Sequence, residues 1–207
     1  MALLSLDKAT MVFRARKGLL GSVPVRALED VSLNLDPGET LAVVGESGSG
    51  KTTLGRVCLR LLKPTGGTVV FDGEDITGAK EKDLKGFRHR AQGIFQDPFS
   101  SLDPFMTIGQ TVEEPLVIHG EDGADDRMKM VHRALEEVKL TPPGEIAAKF
   151  PHMLSGGQRQ RVAIARALVL QPEMVVADEP VSMVDASSRA EILYLLSELQ
   201  ERHGTAF

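Results

Sequence analysis

The spacing of apolar positions changes character along the chain. Residues 31–45 read VSLNLDPGETLAVVG, and Val31, Leu33 and Leu35 alternate with polar neighbours, the pattern of a half-buried strand. Pro37-Gly38 predicts a turn. Leu41–Val44 is then a continuous apolar run, as expected for a strand buried on both faces. Leu54, Val57, Cys58, Leu61 and Leu62 fall on one helical face, with Lys63-Pro64 as the stop. Residues 68–73 predict another strand ending in an Asp72-Gly73 turn. In the middle of the chain the period becomes helical, over Thr107–His119 and again through Met128, Val131, Leu135 and Val138. Gly120–Asp126 reads as a polar, acidic connection and Pro142-Pro143-Gly144 as a second breaker. A buried strand returns at Met174–Ala177. A last helix is predicted from Asp185 as N-cap, burying Ile192, Leu195, Leu196 and Leu199 and stopping at Gly204. Strands, a helical stretch and a return to strand make this an α/β chain.

Composition narrows the classes. A chain of 207 residues suits one domain, or one core with an inserted lobe. Hydrophobic residues at 42% and charged residues at 26% are ordinary for a globular chain, which excludes long-range disorder. No apolar run approaches the roughly 18 residues of a membrane span. MALLSLDKAT predicts no secretory signal. The one cysteine, Cys58, cannot form an internal disulfide, which fits a reducing compartment. A net charge of −5, no tryptophan and one tyrosine argue against nucleic acid as a partner.

Three short segments carry chemistry. Gly45-Glu46-Ser47-Gly48-Ser49-Gly50-Lys51-Thr52 fits GxxxxGK[ST] in full, with Thr53 following it into the predicted helix. Its glycines permit backbone conformations that aim successive N–H groups at a phosphate, and a helix start adds its positive end. Lys51 is placed to reach the β- and γ-phosphates, and the Thr52 hydroxyl to bind Mg²⁺. Met174–Ala177 runs into Asp178-Glu179, at a strand end where open α/β sheets bind ligands. Asp178 would hold Mg²⁺ through water; Glu179 would orient or deprotonate an attacking water. Leu154-Ser155-Gly156-Gly157-Gln158 is a second glycine turn at a helix start, readable as a plain N-cap or as an anion site. Two γ-phosphate sites in one chain suggest two chains sharing nucleotides head to tail.

Taken together, these segments resemble the nucleotide-binding subunit of an ABC transporter, over nearly all of residues 10–207. In that resemblance residues 45–52 are the Walker A loop, and Gln96 of GIFQDP is the Q-loop glutamine that touches Mg²⁺ or water and senses the membrane partner. Residues 154–158 are the signature, 174–179 the Walker B strand with its glutamate, and Ser182–Asp185 the D-loop. Phe13 is similar to the aromatic that stacks on adenine. The implied fold is a P-loop NTPase: a RecA-like core with an N-terminal antiparallel β subdomain and an inserted helical subdomain. Residues 1–97 would form the core with the β subdomain, 98–165 the helical subdomain and 166–207 the return to the core. GESGSGKT, FQDPFSSLDPFMTIGQ, FPHMLSGGQRQRVAIARAL and ADEPVSMVDASSRAEIL are similar to importers of the oligopeptide/dipeptide (and nickel) class.

The resemblance implies an ATPase with ATP and Mg²⁺ as cofactors. Glu179, Lys51 and Gln96 would be catalytic, and Thr52, Gln96 and Asp178 would hold the metal. Phe13, Gly45–Thr53, Ser155, Gly156, Gly157, Gln158 and Asp185 would hold nucleotide. The implied partners are two transmembrane permease subunits, a second ATP-binding subunit and, indirectly, an extracytoplasmic solute-binding protein. The implied location is the cytoplasmic face of the membrane.

Several features depart from the family pattern. Met153 stands where these importers often have an acid, and the D-loop reads Ser-Met-Val-Asp rather than Ser-Ala-Leu-Asp. The family's switch histidine falls a few residues beyond Phe207. His89, His119, His132, His152 and His203 read as surface or packing residues. A truncated domain that binds ATP without appreciable hydrolysis is therefore one alternative. A non-transport ABC ATPase is another, although Lys51 and Ser155 are not separated by a long coiled coil.

Overall fold

The computed structural model describes residues 1–17, 21–97, 101–120, 123–182 and 184–207. They form two compact units, Met1–Arg88 with Ala206–Phe207, and His89–Thr205.

The first unit is built on an antiparallel sheet of order β2-β1-β3-β4, with β1 at Leu4–Lys17, β2 at Gly21–Leu35, β3 at Gly66–Phe71 and β4 at Glu74–Asp75. Leu4, Leu6, Ala9 and Met11 of β1 are all buried, although Leu6 and Ala9 are three residues apart. Strict period two would turn Ala9 outward. A register shift between Leu6 and Ala9, with Lys8 at φ 48°, returns it to the buried face. Val69 and Phe71 of β3 join that core. Asp72 and Gly73, at φ 50° and 79°, make the expected tight turn into β4.

Helix α1 (Lys51–Cys58) lies against β1 and β2 and buries Leu54, Val57 and Cys58. It ends well before Lys63-Pro64. Arg60 turns left-handed at φ 52°, and its buried guanidinium donates to the carbonyls of Ile76 and Ala79. Leu61, expected on the buried face, is exposed as a result. The apolar run Leu41–Val44 also differs from expectation. It forms no regular strand, and Val44 is 92% exposed. Two hydrogen bonds in a parallel pattern join its start to the last residue: Phe207 N–H donates to Glu39 O and Leu41 N–H to Phe207 O, each at 2.8 Å. Both faces of such a run are buried only where neighbours cover both, and no described element of this unit does. A 3₁₀ turn at Glu81–Leu84 and helix α2 (Lys85–Arg90) lead onward.

The second unit holds a parallel pair, β5 (Ala91–Ile94) and β6 (Met174–Ala177), in register from Ala91↔Met174 to Ile94↔Ala177. Between them the chain makes α3 (Ile108–His119), α4 (Ala124–Glu137), α5 (Pro143–Ala147) and α6 (Gly156–Leu168), which pack on one another. Thr107 caps α3 with a reciprocal box: its Oγ1 accepts from Gln110 N and its N–H donates to Gln110 Oε1. Pro142-Pro143-Gly144 opens α5 rather than only breaking the chain, because proline suits a first helical turn. Ile108, Val112, Leu116, Val131, Leu135 and Ile164 are fully buried. The last helix, α7 (Ala186–His203), begins at the Asp185 cap, ends at left-handed Gly204 and buries Ile192, Leu195, Leu196 and Leu199, as expected. No helix among the described residues is long and apolar enough to cross a membrane.

Candidate active site

The phosphate loop enters α1 through Gly50, whose φ of 97° is left-handed. A Cβ at Gly50 would stand 2.3 Å from the carbonyl oxygen of Ala27, so conformation and space both demand glycine. Gly50 offers no side-chain cap to α1. The first-turn amides of an uncapped helix, with its positive end, suit an anion. Lys51 Nζ donates to Gly45 O and Glu46 O, both at 2.8 Å, and Ser49 N donates to Glu46 O at 3.2 Å. The lysine thus braces the loop with two of its three protons and keeps the third for another acceptor. Glu46, Ser47, Gly48, Ser49 and Thr52 are exposed; Thr53 is half-buried. Phe13 is exposed on β1 opposite Val25.

The other chemical residues gather at the ends of β5 and β6. The ladder closes at Ile94↔Ala177, and Asp178 N–H donates to Ile94 O at 2.8 Å. Continuing that register places Gln96 across from Glu179. Gln96 Nε2 indeed donates to Glu179 Oε2 at 2.9 Å. This pairing was not foreseen from sequence, which assigned Gln96 to metal or water, to catalysis and to sensing the membrane partner. The readable signal was that each residue lies two positions past its strand. Glu179 has φ 47°, rare for a residue with a side chain. Its carbonyl accepts from both Ser182 N, at 3.1 Å, and Ser182 Oγ, at 3.0 Å.

The signature turn is both a cap and a candidate anion site. Ser155 Oγ accepts from Gln158 N at 3.3 Å, and Gln158 Oε1 accepts from Ser155 N at 3.0 Å. The Ser155 hydroxyl keeps its own proton as a donor. Gly157 packs close to Ser188: an added Cβ would meet Ser188 Oγ at 3.3 Å. Asp185 caps α7, with Oδ1 accepting from Ser188 N and Oδ2 from Ser188 Oγ, each at 3.0 Å. Pro98, Phe99, Ser100 and Met183, in two of the segments singled out above, lie outside the described residues.

Among the described residues no cluster of three His, Cys, Asp or Glu side chains offers a metal cage. Thr52, Gln96 and Asp178 carry a hydroxyl, an amide and a carboxylate. These are hard oxygen donors of the kind Mg²⁺ takes when phosphates and water complete its shell. Of the histidines, His203 Nε2 meets Glu137 Oε2 at 3.1 Å, His89 and His119 meet edge to face, and His152 stacks on Phe150.

Comparison with known proteins decides the family. The ABC transporter family matches residues 28–182. The chain belongs to that family. It is 47% identical over 183 residues, 88% of its length, to a Brucella ovis protein provisionally named as a peptide import ATP-binding protein. It is 49% identical over 197 residues, 94% of its length, to the glutathione import ATP-binding protein GsiA of Escherichia coli. These matches take in 57% and 31% of the two relatives, so the chain spans about half or less of their length. Among solved structures, the dimeric ATP-binding cassette MJ0796, in a post-hydrolysis state bound to ADP and Pi, superposes with a TM-score of 0.85. It is 32% identical, with 98% of this chain and 85% of that one covered. The family places the α/β chain among P-loop nucleotide-binding cassettes.

Proposed function

We propose that this chain binds and hydrolyses ATP as the motor subunit of an importer of peptides or peptide-like solutes. The observation that carries the reading is the uncapped start of α1, with Lys51 bracing the loop beside it. Backbone amides, an ammonium and the Thr52 hydroxyl form a donor set suited to a polyphosphate. Lys51 and the amides of Gly45–Thr53 bind phosphate oxygens, and the exposed ring of Phe13 stacks on the base. Thr52, Gln96 and Asp178 would hold Mg²⁺, which would supply charge neutralisation on the phosphates. Glu179 accepts a proton from water as the water oxygen bonds to the γ-phosphorus; the bond from that phosphorus to the bridging oxygen breaks and ADP leaves. The protein contributes positioning and charge rather than covalent chemistry.

Ser155, Gly156, Gly157 and Gln158 act on nucleotide held by a second, similar chain. Closing and opening of that pair drives two permease subunits at the cytoplasmic membrane face, supplied by an external solute-binding protein. Phe105, exposed in the segment that follows Gln96, suits the permease contact. The peptide and glutathione names of the relatives support the solute class. The residue ranges 1–97, 98–165 and 166–207 are proposed as the corresponding subdomains.

The test is MgATP binding and turnover on the chain alongside Lys51→Ala. Binding and turnover that both disappear in the variant support the reading. Binding without turnover leaves a nucleotide-binding chain that does not hydrolyse. Turnover that survives in Lys51→Ala would sink the assignment of the loop.

A further inference from the structure

Glu179 is held from two sides. Its carboxylate accepts from Gln96 Nε2 at 2.9 Å. Its backbone sits at φ 47°, a region that residues with a Cβ enter only when the surroundings hold them there. Beyond it, Ser182 ties down the next peptide. One hydrogen bond from Ser182 N–H to the Glu179 carbonyl closes an ordinary four-residue turn, with Pro180 at the position proline favours. A second bond runs from Ser182 Oγ to the same carbonyl at 3.0 Å, a local serine-to-backbone bond added to the turn. The carbonyl belongs to the same residue as the carboxylate, so the two bonds restrain the peptide that leaves Glu179 and hold that residue against the turn.

We propose that Ser182 is a positioning residue for hydrolysis: its hydroxyl braces the turn that follows Glu179 and so steadies the Glu179 carboxylate against the attacking water. Ser182 touches no reacting atom and acts only through Glu179. The inference therefore rests on the reading of Glu179 as the residue that takes the proton. Alanine keeps the turn's N–H bond and loses only the hydroxyl bond. Threonine keeps both, and Ser182 is only half-buried, which leaves room for the extra methyl.

The experiment is steady-state MgATP hydrolysis by the full chain, with melting curves as a folding control. Ser182→Ala is expected to lower kcat about tenfold, because a misaimed group loses rate steeply with small displacements. KM for MgATP stays within about twofold, since the loss lies in the transition state rather than in binding. Ser182→Thr restores kcat to within about twofold of the parent. In a Glu179→Gln background, Ser182→Ala lowers the residual rate no further. An unchanged kcat in Ser182→Ala, a change confined to KM, or a loss that threonine does not restore overturns the inference. So does a further loss in the Glu179→Gln background. A parent-level rate in Glu179→Gln alone removes the base assignment and this inference with it. A loss there with none in Ser182→Ala removes the serine's role only.

Discussion

Cys58 closes α1 with its thiol buried, and that burial pushes the thiol from its ordinary 9.0 up to about 12. The folded state therefore holds the proton more tightly than the unfolded chain. The stabilisation from this group is complete below the ordinary value and is lost as pH rises from there through about 12. At pH 8 the folded chain is expected to resist a thiol-specific disulfide reagent, and the denatured chain to react with one equivalent. Prompt reaction of the folded chain at the denatured rate would contradict the burial. The spacing of Leu54, Val57 and Cys58 made this thiol's position legible before any coordinates. Glu179 was legible only in part. Its identity and its place after a buried strand stood in the sequence. Its left-handed backbone did not, because a positive φ at a single residue leaves no periodic trace.

Among the elements, α7 shows which signals survive folding. Asp185 and Gly204 act on their own helix ends, so local chemistry sufficed to place them. Its flanks carry the ion pairs Arg161–Glu191 and Lys139–Glu198 and a contact between His203 and Glu137. Half-exposed pairs of this kind contribute about 0–1 kcal/mol each. The apolar stripe between them decides stability: Leu195 is 1% exposed, and Leu195→Ala is expected to cost about 2–5 kcal/mol. A shift of the denaturant midpoint of that size with an unchanged slope would agree. A cost near that of a surface change would show that α7 is not packed as described. Where element boundaries depended on distant partners, the pattern failed. The end of α1 follows from Arg60 reaching Ile76 and Ala79, contacts that no spacing within the helix announces. The run Leu41–Val44 fails for a related reason. Apolarity states what a segment tolerates, and burial depends on what else is present to cover it.

The scale of the whole molecule brings in the second chain. The two helix starts that suit phosphate, at Gly50 and at Ser155, belong to different units of this chain. Each is rich in glycine N–H groups and each has kept a donor in reserve, the third proton of Lys51 and the hydroxyl proton of Ser155. An ATP γ-phosphate has enough oxygens to accept from both kinds of site. In the similar cassette MJ0796 a dimer accompanies bound ADP and Pi. If departure of the cleaved phosphate is what releases the pair, a chain that binds ATP and cannot cleave it should accumulate as a dimer. Glu179→Gln leaves Lys51, Thr52 and the signature turn untouched, and removes the proton acceptor. In sedimentation it is expected to be a dimer with saturating MgATP and a monomer with MgADP or without nucleotide. Lys51→Ala, which loses the phosphate contact, should stay monomeric under all three conditions. The decisive result is Glu179→Gln with ATP bound at full occupancy and a monomer mass. Nucleotide would then be held by one chain alone, and the Ser155 turn would be no more than the helix cap its hydrogen bonds already describe.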